Sequence, residues 1–222
     1  MTVPVDKLIR SGRRTLSIEI SSAGEVIVRQ PWHVSRRTVQ DFLAKKSRWI
    51  ISKKDLVYKR LTAFPQKNFT PGENFLYLGK SYPLKLVDDT EPLSLAAEFR
   101  LSKRCVSEAR SAFLGWYKQQ AIQYLPRRTQ QLAQACGLVF RQVKISRALT
   151  RWGSCSAAGD INLSWRLVLA PLPVIDYVLI HELAHLLQKG HSPRYWLEVS
   201  RMCPDHERHR KWLKENGHLL TI

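Results

Sequence analysis

The chain has 222 residues, 44% of them hydrophobic, and carries 36 Lys+Arg against 18 Asp+Glu, a net charge of +18. The apolar share is close to the globular norm of roughly 45–50%, which excludes wholesale disorder, and the length suits one catalytic domain with a smaller companion. No apolar run approaches the ~18 residues that cross a bilayer and no apolar signal segment opens the chain, so a cytoplasmic protein without a membrane partner is expected.

In chain order, Leu16–Ile20 alternates apolar and polar side chains and Val26–Arg29 does so less cleanly, on either side of Ser21-Ser22-Ala23-Gly24, the pattern of a hairpin. From Ser35 to about Arg60 the apolar residues Val39, Phe42, Leu43, Trp49 and Ile50 recur at helical spacing among many Lys and Arg. Residues 62–72 hold Pro65, Pro71 and Gly72 and read as a loop. Residues 74–78 and 82–87, split by Gly79-Lys80-Ser81, predict a second hairpin. The polar, Pro-bearing stretch 88–94 marks a boundary, giving a β-rich basic part at 1–90 and a catalytic domain at 91–222.

A long helix is expected over 104–135, kinked or split at Pro126 and ended near Gly137. Phe140–Ile145 alternates as a strand, and 150–169 reads as two strands joined at Ala157-Ala158-Gly159-Asp160. The fold class that follows is α+β.

The stretch Pro171–His191, PLPVIDYVLIHELAHLLQKGH, carries the chemistry. At ~100° per residue, Leu172, Ile175, Leu179, Leu183 and Leu186 share one helix face, with His181 and His185 roughly 140° from its centre and one turn apart. Gly190 suits the end of that helix, after which His191 can return toward the same point. A catalytic zinc takes three protein ligands at ~2.0–2.1 Å and keeps one open position. His181 and His185 supply two ligands. The third falls to His191, ten residues after His181, with His206, His209, His218 and Glu198 as alternatives. Glu182 follows the first histidine and is placed to act as general base on a metal-activated water.

His181-Glu182-Leu183-Ala184-His185 followed by His191-Ser192-Pro193-Arg194-Tyr195-Trp196 resembles the YgjP-like metallopeptidase family, a bacterial branch of the zincins related to the SprT-like group. Arg151-Trp152-Gly153-Ser154-Cys155, Ile161–Leu167, Pro204-Asp205, Trp212-Leu213 and Ser35…Phe42…Trp49-Ile50 are similar too, so the likeness covers roughly 15–216. It implies a zincin-like catalytic domain in which a small sheet accompanies the metal helix. It also implies zinc ligation by His181, His185 and His191 and catalysis by Glu182. Gln188 stands where metzincins carry glycine, and no Met-turn follows, so the chain is not read as a metzincin.

The strand pair in 150–169 is expected to offer an edge to an extended peptide, with Arg151, Ser154, Asn162 and Arg166 lining the cleft. Arg151 or Tyr195 would donate to an oxyanion. Trp152, Trp165 and Trp196 are expected as core around the site. Cys105, Cys136, Cys155 and Cys203 form no C-x-x-C and read as reduced thiols.

Three functions remain open at this level. The first is a zinc peptidase acting on a peptide or protein, with other divalent metals as substitutes for zinc. The second is a metal-dependent hydrolase of a phosphate-containing small molecule such as a nucleoside triphosphate, releasing phosphate or pyrophosphate. The third is a nucleic-acid-associated protease or binding module using the basic helix at 36–60, since the positive charge attracts polyanions.

Overall fold

The computed structural model describes residues 4–21, 24–63, 67–148 and 151–222. Ser22 and Ala23 of the expected turn, Phe64–Gln66 of the expected loop and Thr150 of the expected strand pair lie outside those residues. The fold is α+β, with five α-helices and three small sheets among the described residues. The chain divides into two compact units, Met1–Pro65 and Gln66–Ile222.

The first unit contains β1 (Lys7–Ser11), β2 (Ser17–Ile20), β3 (Val26–Pro31) and α1 (Arg36–Ala63). The expected hairpin is present, with β2 antiparallel to β3 through Ser17↔Arg29 and Ile20↔Val26. Strand β1 was not legible in the sequence. It joins the other side of β3 in parallel, Lys7 opposite Ile27. Ser35 caps α1, its hydroxyl accepting from the Thr38 N–H at 3.1 Å. Val26 and Val28, two apart on a strand, meet Val39, Leu43 and Ile50 from one face of the helix in a small separate core.

The second unit opens with the hairpin β4 (Asn74–Tyr77) and β5 (Lys80–Val87). Its two-residue turn places Leu78 and Gly79 at φ 48° and 78°, the doubly positive backbone of a tight hairpin turn. A Cβ at Gly79 would lie 2.6 Å from the Pro171 Cα, so the glycine also admits the chain that leads into the helix carrying His181. Strands β6 (Leu93–Leu95) and β7 (Phe99–Ser102) complete a sheet of order β4-β5-β7-β6.

The stretch 88–94, read as a boundary, therefore connects strands within one sheet. The compact units divide at residue 65 instead. The physical reason is apolar: Phe75 stacks on Phe113 at 4.2 Å and, with Leu84, Phe99 and Leu101, belongs to the core of the second unit.

Helix α2 (Ala109–Ala135) keeps Pro126 in its interior without splitting. It buries Phe113, Tyr117, Ala121, Leu125, Thr129 and Ala133, a stripe repeating every four residues. Gly137 follows at φ 66°, as its place at the helix end requires.

A third sheet has order β8-β10-β9, from β8 (Gln142–Ser146), β9 (Gly153–Cys155) and β10 (Asp160–Ser164). β9 and β10 are antiparallel, whereas β8 and β10 are parallel. Trp165–Leu169, expected to continue a strand, instead forms a tight 3-10 turn that buries Trp165, Leu167, Val168 and Leu169.

Helices α3 (Leu172–Ala184), α4 (Pro193–Met202) and α5 (His206–Asn216) complete the unit. Helix α3 ends at Ala184, six residues before the expected stop at Gly190. Three-residue hydrogen bonds, Leu186 N–H to Leu183 O and Leu187 N–H to Ala184 O, wind up its end. It is also not a one-faced surface helix. Val174, Ile175, Tyr177–Ile180 and Glu182–Ala184 are all buried, because α2, α4, α5 and β9 pack around it. No helix among the described residues is long and apolar enough to cross a membrane.

Candidate metal centre

Pro171 precedes α3 and Pro173 lies in its first turn, where a missing N–H costs nothing. The helix then carries His181 and Glu182 in its last turn and His185 at its C-cap. The chain turns through 186–190 and delivers His191 just before α4, whose N-terminus is capped by the Ser192 hydroxyl accepting from the Tyr195 N–H. Three histidines spread over ten residues of sequence, His181, His185 and His191, thus meet in space. One ring nitrogen from each of His181, His185 and His191 lies within 4.8 Å of the others.

The three rings are ordered by different contacts. His185 Nδ1 lies 3.1 Å from the Gln188 carbonyl oxygen. A carbonyl only accepts, so Nδ1 carries the proton and Nε2 keeps a free lone pair. Tyr195 is fully buried, stacks on His185 at 4.6 Å and donates its hydroxyl to the His181 carbonyl at 2.9 Å. His191, exposed and outside any helix, stacks on Trp196 at 5.8 Å.

The Nε2 atoms of His181 and His191 are 3.2 Å apart. Two bonds of ~2.0–2.1 Å at a tetrahedral angle span about 3.3 Å, so this pair fits one shared zinc-sized ion. Burial, with the neighbouring His185, His191 and Arg210, lowers the His181 pKa to about 4, which keeps the ring neutral and able to ligate. Its Nδ1 is buried without a hydrogen-bond partner among the described residues.

Glu182 is 4% exposed. Burial raises its carboxyl pKa to about 7, against an opposing pull from Arg151. Strand β9 crosses directly over it: a Cβ on Gly153 would fall 2.5 Å from Glu182 Oε1 and 2.7 Å from its Cγ. That glycine was not singled out as a site residue in the sequence. Its only signal is its position beside Trp152 in the stretch resembling the family.

The remaining expected site residues divide into two groups. Ser154 and Asn162 face each other across the β9–β10 ladder, half-buried, and Arg151 is exposed at the head of β9. Arg166, expected in the cleft, instead donates to the carbonyls of Leu220 at 2.6 Å and Gly217 at 3.3 Å and lies 4.8 Å from the Trp152 ring centre. It fastens the end of the chain. Tyr195, expected as an oxyanion donor, spends its hydroxyl on the His181 backbone. Of the aromatic trio, Trp165 is buried, while Trp152 and Trp196 are half-buried.

None of the alternative third ligands joins the cluster. His206 stacks on the Trp196 ring, His209 lies beside Tyr177, and Glu198 pairs with Arg201. His218 also stands outside the three-residue group.

A family model for the YgjP-like metallopeptidase domain matches residues 14–216. The chain is a member of the YgjP-like family. The match spans nearly the whole sequence, both compact units included, and membership makes the protein a metal-dependent hydrolase with an implied metal ion. The His181, His185 and His191 cluster is compatible with that ion. No curated protein and no solved structure matches the chain.

Proposed function

We propose that this YgjP-like protein is a zinc-dependent peptidase in which His181, His185 and His191 hold the ion and Glu182 moves the protons. The observation that supports it best is the convergence of three ring nitrogens within 4.8 Å beside a buried carboxylate whose pKa lies near neutrality. The ion supplies Lewis acidity toward a carbonyl oxygen and toward water.

The chain's own groups do the rest. Glu182, poised between its two protonation states at neutral pH, takes a proton from the attacking water onto a carboxylate oxygen and returns it to the leaving amine nitrogen. Tyr195 and Gln188 hold His181 and His185 in place through the backbone carbonyl of His181 and the Nδ1 of His185. β9 pairs with β10 on one side, leaving its other edge for an extended peptide to join by backbone hydrogen bonds. Arg151, Ser154 and Asn162 are the side chains proposed to meet that peptide.

The test is Glu182→Gln, which keeps the side chain's size and removes its basicity. Peptide cleavage should fall by about 100-fold or more, while the purified variant retains the zinc content of the wild type. Undiminished cleavage would dismiss the role of Glu182. A panel that includes nucleoside triphosphates separates the substrates: phosphate release without cleavage of any peptide would replace the peptidase reading.

A further inference from the structure

The first compact unit holds fourteen Lys and Arg against five Asp and Glu, half of the chain's net charge on 65 residues. Three of those five carboxylates have local tasks. Asp6 accepts the Val26 N–H, Glu19 pairs with Arg29, and Glu25 accepts from the Ser21 hydroxyl. The other two, Asp41 and Asp55, lie on α1.

Helical spacing gives the solvent side of α1 two contrasting flanks, beside a third side that carries Arg36, Gln40 and Ile51. With Val39, Leu43 and Ile50 toward the core, ~100° per residue places Arg37, Asp41, Ala44, Arg48 and Asp55 on one flank. The same rotation places Phe42, Lys45, Lys46, Trp49 and Lys53 on the other, about 130° away. The first flank mixes charges. The second has three cations, two aromatic rings and no carboxylate. Lys45, Lys46 and Lys53 are exposed, Phe42 is half-buried and Trp49 is 43% exposed. Trp49 leaves much of a large ring open to solvent, and its cationic neighbours repel one another unless an anion lies among them.

We propose that the Phe42–Lys53 flank of α1 binds single-stranded nucleic acid. The lysines neutralise backbone phosphates and Trp49, with Phe42, offers ring faces on which unpaired bases stack. The alternation of ring and cation along the helix matches a strand whose bases and phosphates alternate. A duplex hides its bases in the stack, so rings on this flank would find no partner there. The surface lies wholly in the first unit and uses none of the residues of the metal centre.

The probe is a fluorescently labelled 20-residue oligothymidylate, titrated with the full-length protein by anisotropy. Binding should weaken with salt, log Kd rising against log salt concentration with a slope of about +2, as expected for three lysines at ~0.7 per phosphate. Lys46→Glu with Lys53→Glu should weaken binding more than about tenfold and flatten that slope. Arg37→Glu with Arg48→Glu makes the same change in net charge on the mixed flank and should stay within about threefold of the wild type. Trp49→Ala should cost about tenfold, within the usual range for one stacked base, and leave the slope unchanged. Circular dichroism and melting confirm that each variant is folded. Equal losses in the two charge-reversal variants would overturn the proposal, because net charge alone would then account for binding. So would a duplex of the same length binding as tightly, or phosphatidylserine vesicles binding where the oligonucleotide does not.

Discussion

Gly153 decides where the Glu182 carboxylate can sit. The two residues are far apart in sequence, yet a single methyl group at Gly153 would overlap Oε1, Cγ and Cδ of the glutamate at 2.5–2.8 Å. Gly153 takes no positive φ, so its requirement is space and not backbone freedom. Gly153→Ala should therefore push the carboxylate aside, cut kcat for peptide cleavage by about tenfold or more, and cost ~1–3 kcal/mol of stability as an overpacked site. Zinc content should not change, because the three rings stand on α3 and the turn that follows it. Metal analysis beside steady-state kinetics checks both halves, and a fully active variant would separate Glu182 from the reacting centre. At this scale the sequence is legible where chemistry is local. His-Glu-x-x-His places its residues by helical geometry alone, whereas contacts such as Gly153 with Glu182 or Arg166 with Leu220 depend on how distant segments pack.

Among the elements, the ones legible in the sequence carry a long periodic signal. The β2–β3 and β4–β5 hairpins set apolar-rich segments on either side of turn residues, and α1 and α2 repeat their apolar residues over seven turns or so. The unseen elements are short. β6 has three residues, and Trp-Arg-Leu-Val-Leu at 165–169 is an apolar run that suits a strand or a buried turn of helix equally. The mixed sheet that carries β9 has its own fastening. Arg141 donates to Asp160 through two nitrogens and Gln142 adds a third bond, at the end of the β8–β10 ladder where Gln142 lies opposite Asp160. The Arg141 bonds first, then Gln142, hold the Asp160 pKa at about 2, against some desolvation that acts the other way. A carboxyl depressed below its unfolded value of about 3.9 contributes stability that is whole above that value and is lost as the pH falls through about 2. Asp160→Asn should accordingly be less stable than the wild type at pH 5, with the gap closing as the pH approaches 2. Urea midpoints measured across that range check it, and parallel curves for the two proteins would show that the pair does not couple to folding.

On the scale of the whole molecule, composition could not tell a linker from a connection inside a sheet. The stretches 62–72 and 88–94 are both polar and contain proline, yet only the first coincides with the division between units, because Phe75 and Leu84 belong to the second core. That division also places the His181, His185 and His191 cluster wholly within Gln66–Ile222. An ion that binds only the folded arrangement of His181, His185 and His191 stabilises that unit by RT ln(1 + [L]/Kd), about 2.7 kcal/mol at a hundredfold excess over Kd. At ~2–4 °C per kcal/mol for a unit of this size, chelation should lower its melting transition by roughly 5–10 °C, and restored zinc should reverse the shift. His191→Ala removes the ring that the turn contributes, so its melting should respond much less to chelator. Calorimetry of the intact chain distinguishes this from a general effect of the chelator, since the variant experiences the same solution. If the wild type and His191→Ala shift equally, the ion is held elsewhere and the three rings are not its ligands.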